Sequence, residues 1–498
     1  MNVTGTRVSI KYSKFIRFLI SVTVDINKTL ESLPRNKIGT FRLIWQAMGA
    51  LSPAADVAYL LTGVALFALG ATPLSILLGI VAYLLIMNTS YQFSKHISSA
   101  GSYYTFVGKS LGGTFATYQG WNMVFYVTLG YSGFGFLGLA SFLTLINPAY
   151  SGPLYWIPIV LIATTIAFLF TYFGIRISTT YQYMGGILEI GLLIFGAVAL
   201  IISAGHNNTL DVFTSKYVPG GFEQVIFSMI YSVVLYFGTS LSVTSLAEET
   251  KIPKKTVPKA LLATVIISGI TMLLISYAMT VKWGPSLMSS FASSPDPGLI
   301  LFKSVSYILF LLLVIFTVNS FMGYNVAVSN ANSRNFYAFA RDGVIMPRSL
   351  NAIHPKYGSP HKTALLIYAV SIVISLTFGL LFGPLTGGLI MLFANAYAAY
   401  FEHILASIGL PFFARKNNFF NLVYHLIIPI VGIAILLAVI VSTVYPALPS
   451  YPYNIAVIIG IAWLGVSALL TYIEIKLHPS RVKNAGKYSL IGEEYEAK

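Results

Sequence analysis

Of this chain's 498 residues, 56% are hydrophobic and only 9% charged, a balance outside the range of soluble proteins of this length. The net charge of +15 is spread between apolar runs rather than gathered in a patch, so it gives no reason to expect nucleic acid as a partner. The absence of Cys excludes disulfides, thiolate metal sites and Cys nucleophiles, and no phosphate-binding Gly-x-x-x-x-Gly-Lys-[Ser/Thr] loop is present to make ATP a driving cofactor.

In chain order, residues 1–42 form a polar N-terminal segment containing the short apolar stretch Phe15–Val24. Its basic flank and the interrupting Asp25 fit an interfacial helix better than a signal peptide. Twelve apolar runs follow, near 43–69, 74–97, 113–145, 154–173, 180–204, 222–245, 258–283, 298–330, 361–383, 386–413, 420–445 and 451–476. Each has the roughly 20 residues that a helix needs to cross about 30 Å of hydrocarbon. Every Lys and Arg except Lys216, Lys282 and Lys303 falls in the N-terminal segment, in alternate gaps or in the tail 477–498 and its junction with the last run. By the positive-inside rule, both termini are expected in the cytoplasm of a multi-pass protein of the cell membrane. The predicted class is an all-α membrane protein with 12 transmembrane helices and the lipid bilayer as its surroundings.

Run 1 contains Met48-Gly49-Ala50-Leu51-Ser52-Pro53-Ala54-Ala55-Asp56, which puts a proline at mid-bilayer, where it removes a backbone hydrogen bond and clashes with the preceding turn. A helix break is expected there, with Ser52 capping a new helix whose first residue is Pro53. The N–H groups of Ala54 and Ala55 would then face the protein centre as an anion site. Run 6 holds Tyr236-Phe237-Gly238-Thr239-Ser240 near its middle, a second place where a helix can unwind if its backbone lines a cavity. Breaks in runs 1 and 6 match two inverted five-helix repeats, here 43–204 and 222–413, with 420–476 supplying two further helices.

The segment Leu246-Ala247-Glu248-Glu249-Thr250-Lys251-Ile252-Pro253-Lys254-Lys255-Thr256-Val257-Pro258-Lys259-Ala260 resembles the signature that follows helix 6 in the amino acid-polyamine-organocation superfamily of transporters. Ser99-Ala100-Gly101-Ser102-Tyr103-Tyr104-Thr105-Phe106-Val107 after run 2, Gly120-Trp121 in run 3 and Ser333-Arg334-Asn335-Phe336-Tyr337-Ala338-Phe339-Ala340-Arg341-Asp342-Gly343 after run 8 extend the similarity in the family's order. The resemblance implies the leucine-transporter-type 5+5 inverted repeat with helices 1 and 6 broken. It places the substrate carboxylate at Ser52, Pro53, Ala54 and Ala55, and the amino group at Tyr236, Phe237 and Gly238. Gly49, Ala50, Leu51 and Asp56 at the first break and Thr239 at the second complete the expected substrate-binding set. In this chain Pro53-Ala54-Ala55 replaces the family's Gly-x-Gly, which narrows the room beside the backbone.

An ionisable group at mid-bilayer costs at least about 2.5 kcal/mol, so each needs a partner or a role. Glu189 in run 5 is the candidate for proton coupling, the alternative being an acid tied to neighbouring hydroxyls. Asp56 either complements the helix start or meets a cationic substrate group. Glu402 and His403 in run 10 either hydrogen-bond within the bundle or face a vestibule. Glu248 and Glu249 lie among Lys251, Lys254, Lys255 and Arg341, so they form either a cytoplasmic ion-pair gate, for which they are the candidates, or a solvated charge cluster. The seven His are scattered, with no metal-ligand or nucleophile cluster, so an enzyme is not expected and no cofactor or metal is called for. The resulting expectation is a secondary transporter that imports a small-molecule substrate, an amino acid, by alternating access coupled to protons, with sodium as the other possible coupling ion. The alternatives are a polyamine or other organic cation carrier, an amino acid exchanger and, in a different class, a membrane nutrient sensor.

Overall fold

The computed structural model describes residues 32–445 and 447–490, apart from the side chain of Tyr59. The stretch Phe15–Val24 lies outside the described residues. The chain is an all-α membrane protein, and the membrane passages are labelled α1 to α12. They are α1a (Thr40–Gly49) and α1b (Pro53–Ala55, a wide turn at Asp56–Leu60, then Leu61–Ala68), α2 (Thr72–Ser94), α3 (Gly113–Ile146), α4 (Pro153–Tyr172) and α5 (Ile175–Ala204). After these come α6a (Gly221–Val234) and α6b (Gly238–Thr244), α7 (Pro253–Trp283), α8 (Tyr307–Asp342), α9 (His361–Phe382), α10 (Pro384–Lys416), α11 (Val423–Ser442) and α12 (Asn454–Leu477). Among the described residues, eleven helical stretches are individually long and apolar enough to span a membrane; the first joins Leu61–Ala68 to α2 through a turn at Leu69, whose φ is 47°. The broken first passage, with its two halves, makes twelve.

Local chemistry sets the ends of these helices. Pro stands at the start of α1b, α4, α7 and α10, where its missing N–H costs nothing and its fixed φ suits the first turn. Glycines in the left-handed region follow α7 and α8, at Gly284 and Gly343. Between them the helices sort their faces by solvent. On α5, Gln182, Glu189, Leu193, Gly196 and Leu200 are buried, while Leu188, Phe195 and Ile202 point outward to where lipid would lie. The single carboxylate of α5 is therefore on the inward stripe.

Run 8 differs from its expected limits of 298–330. Pro297–Val305 is a separate short helix packed on the wide turn of α1b, and Ser306, in extended conformation, caps a new helix by accepting the Ile308 N–H. From there α8 continues to Asp342, through residues expected to begin a polar loop at Ala331. The polar end stays helical because its side chains, Arg334 above all, find partners inside the protein.

Candidate functional site

Both expected breaks are present, each closed by tight three-residue turns rather than left open. In α1, Leu51 N–H bonds to Met48 C=O and Ser52 N–H to Gly49 C=O; in α6, Leu235, Tyr236 and Phe237 N–H bond back to Ser232, Val233 and Val234. The two turns meet. A Cβ on Gly238 would lie 2.5 Å from the carbonyl oxygen of Ala50, so only glycine lets α6b pass α1 at this distance. Gly49 meets Gln182 of α5 as closely, and Gln182 Nε2 donates to Gly323 C=O of α8 at 2.7 Å. The carbonyls expected to face a ligand are partly engaged: Tyr236 C=O accepts Thr239 N–H, and Gly238 C=O accepts the Ser242 hydroxyl at 2.6 Å.

Ser52 does not cap α1b as expected. Its backbone is left-handed (φ 52°, ψ 57°), which turns the hydroxyl away from the helix start, and Oγ instead donates to Ser320 C=O of α8 at 3.0 Å. The cap comes from α5. Glu189 Oε1 accepts the Ala54 N–H at 2.9 Å and the Ser320 hydroxyl at 2.7 Å, and Oε2 accepts Asn319 Nδ2 at 3.1 Å. Tyr181 hydroxyl donates to Asn319 Oδ1 at 3.0 Å, which fixes the amide, and Ala55 N–H reaches Ser320 Oγ and Ser52 C=O. The N–H groups expected to be free are thus occupied, and Glu189 ties α1b, α5 and α8 together with neutral donors only. A carboxylate at a helix start is favoured by the exposed N–H groups and the helix dipole. Asp56, the residue after Ala55, is buried where the wide turn of α1b begins.

Two internal spaces flank the crossing. One, of about 10 Å³, lies between α1, α5 and α8 against Glu189, Ser52, Asn319 and Ser320. The other, of about 20 Å³, lies between α3, α6b and α8, lined by Tyr126, Val127, Gly238, Leu241, Tyr324 and Val328 among others. A water needs roughly 10–15 Å³, so each has room for one or so and neither is large enough for an amino acid.

On the side carrying most of the basic residues, Glu248 and Glu249 are buried between α6b and α7. Arg334 Nε and Nη2 grip Glu249 at 2.7 and 3.1 Å in a two-pronged pair, with both side chains buried. Arg341 Nη1 meets both oxygens of Glu248, at 3.0 and 3.1 Å, and Glu248 also accepts Ala100 N–H at 2.8 Å. The partners are these two arginines of α8, not Lys251, Lys254 or Lys255. The N-terminal segment straps across them: Lys37 N–H donates to Glu249 C=O and Lys251 N–H to Ile38 C=O, both at 2.8 Å.

Residues 42–484 match the family model described as amino acid permease. The chain belongs to the amino acid permease family. It is also 28% identical over 373 residues, 71% of this chain and 76% of the other, to the branched-chain amino acid permease BcaP of Bacillus subtilis strain 168. Membership makes the chain a multi-pass transporter of amino acids in the amino acid-polyamine-organocation superfamily, and not an enzyme.

Within this permease, sequence reading identified both breaks, the buried acids and the nearness of Arg341 to Glu248, and it allowed for hydroxyl partners at Glu189, but it named neither Asn319, Ser320 and the Ala54 N–H for Glu189 nor Arg334 for Glu249. Asn319-Ser320, a polar pair in mid-run 8, and Tyr181 were the available signal for the Glu189 network. Arg334 lies in the Ser333–Gly343 segment that carries the family resemblance, and nothing local in that segment points to Glu249. Glu402 of α10 is fully buried with neither oxygen hydrogen-bonded among the described residues. Its neighbour His403 bonds through Nδ1 to Ala399 C=O and packs its ring on Tyr103 and Phe237, so neither residue faces an open vestibule.

Proposed function

We propose that this permease imports an amino acid across the cell membrane by alternating access, both termini cytoplasmic, with a proton carried on Glu189. The observation that supports it is the Glu189 carboxylate seated at the start of α1b, held by donors that are all neutral. While charged, it satisfies the positive end of α1b. Once protonated it loses most of its pull on that end, which is then free to take another anion, the substrate's carboxylate. Proton and amino acid thus bind together, because one carboxylate at the helix end replaces the other. In this reading α1–α5 and α6–α10 are the two repeats, and they part around the Ala50–Gly238 crossing. The cleft between α3, α6b and α8 widens to take the side chain. Its Val127, Leu241 and Val328 suit an aliphatic side chain, in keeping with the name of the Bacillus subtilis relative. Glu248–Arg341 and Glu249–Arg334 close the cytoplasmic side.

The test is uptake of labelled leucine, isoleucine and valine into liposomes holding the purified protein under an imposed pH gradient. Glu189→Gln is expected to abolish gradient-driven accumulation while preserving exchange of substrate between the two sides. Accumulation equal to the parent's would sink the proton assignment.

A second reading, an organic cation as substrate, is favoured by Asp56 lying near the same break. For a cation, Asp56→Asn should cost roughly 1.5–3 kcal/mol of binding, the range for a charge-assisted hydrogen bond. A neutral amino acid should bind no more weakly. Affinities of the variant for putrescine and for leucine separate the two.

A further inference from the structure

The chain past α12 does not leave the protein. A short helix, Pro479–Asn484, turns it back, and residues 485–490 run across the same end of the molecule as the two ion pairs. Val482 and Ala485 are buried, and the backbone at Val482 and Gly486 lies so close to Gly113 and Gly108 that a methyl group on either glycine would collide with it. Arg481 Nη1 donates to Gly343 C=O at 3.2 Å, and Gly486 N–H donates to Asp342 Oδ2 at 2.8 Å, an oxygen that also accepts the Tyr104 hydroxyl. Further on, Leu490 N–H donates to Ser98 C=O at 3.0 Å and Ser98 N–H to Ser489 Oγ at 3.1 Å. Between these two anchors, the Tyr488 ring lies 3.5 Å from the guanidinium carbon of Arg341.

The tail therefore holds both partners of the Glu248 carboxylate. Glu248 binds Arg341 and the N–H of Ala100; Tyr488 stacks on Arg341, and Ser489 and Leu490 pin Ser98, two residues before Ala100. Arg341 Nε has no hydrogen bond among the described residues, so what restrains this part of the guanidinium is stacking, on Tyr488 and more distantly on Tyr337 at 5.4 Å. An arginine so placed is steered by aromatic faces as much as by its acid. The geometry points to the C-terminal tail as a working part of the gate, with Tyr488 positioning Arg341 on Glu248 and releasing it when that side opens. This rests on reading Glu248–Arg341 as a gate, and it predicts that the tail must shift in each transport cycle.

The chain has no cysteine, so one introduced thiol reports access without background. Ser242→Cys places it beside the cleft between α3, α6b and α8. A membrane-impermeant thiol reagent is then applied from the side of the tail. On that background, Tyr488→Ala is expected to speed labelling by about two- to fivefold, the ratio matching one cation–π contact at a partly exposed site. Tyr488→Phe, which keeps the ring face, should label at the parent rate. Arg341→Ala should speed labelling at least as much, with no further gain when combined with Tyr488→Ala. A response to Arg341→Ala but not to Tyr488→Ala overturns the tail's role and leaves the gate standing. No response to either overturns the gate reading, and a response to Tyr488→Ala alone overturns the route through Arg341.

Discussion

Two buried acids of this permease are satisfied in opposite ways. Glu189, at the break of α1, is held by an amide N–H, a hydroxyl and a carboxamide. Glu249, at the basic side, is gripped by the guanidinium of Arg334. Neutral donors meet a carboxylate's hydrogen-bonding needs without a counter-charge, whereas an arginine, which does not release its proton, adds a permanent positive charge beside its partner. The first arrangement suits a group that gains and loses a proton, and the second suits a lock. Both acids hang on α8, which brings Asn319 and Ser320 to one and Arg334 to the other. Arg334 stands 14 positions after Ser320, so the two contacts lie about 21 Å apart along one helix.

The largest effect should come from breaking the lock. Arg334→Met leaves Glu249 buried without its counter-charge, and losing one member of such a pair costs about 3–5 kcal/mol. Thermal unfolding of the detergent-solubilised variant should show a strongly lowered midpoint. The double variant Arg334→Met/Glu249→Leu should recover most of it, since a well-packed apolar pair is often as stable as the buried ions it replaces. A single variant as stable as the parent would mean that Glu249 is not confined as the structure has it.

Glu189→Gln should be far milder, and this contrast sharpens the comparison. The amide oxygen can keep the bonds from Ala54 and Ser320, but its NH2 group then faces the Asn319 Nδ2, which is held in orientation by Tyr181. One lost hydrogen bond predicts about 0.5–1.5 kcal/mol, in a protein that folds and exchanges substrate. A loss as large as that of Arg334→Met would remove the distinction between the two acids and return Glu189 to a purely structural role.

How far this could be read from sequence depended on the range of each interaction. Pro53 and Gly238 announce breaks because their effect on the backbone is local, and apolar runs announce spans because the bilayer thickness is fixed. Ser52 looked like a cap for the same local reason, and it is not one, since its left-handed backbone aims the hydroxyl at α8. The residue that does cap α1b stands 135 positions away, and Arg334 stands 85 positions from Glu249. No periodicity within one helix encodes which distant helix it will touch. The limits of α8 were misjudged likewise, because Arg334 makes a polar sequence helical only through a partner in another segment.

Glu402 gives the last and smallest effect, and it tests what an acid does with neither kind of partner. It is as buried as Glu249, yet neither oxygen is hydrogen-bonded among the described residues. A buried polar group left unsatisfied costs about 1–3 kcal/mol, which an apolar residue of similar length would not incur. Glu402→Met should therefore leave the unfolding midpoint unchanged or raise it slightly, opposite in sign to any change at Glu189 or Arg334. Transport, which on the present reading does not route its proton through α10, should continue with the parent's pH dependence. If Glu402→Met instead lowered stability or flattened the pH profile, Glu402 would have to acquire a partner when the bundle opens, and the division into locking and charge-trading acids would need a third member.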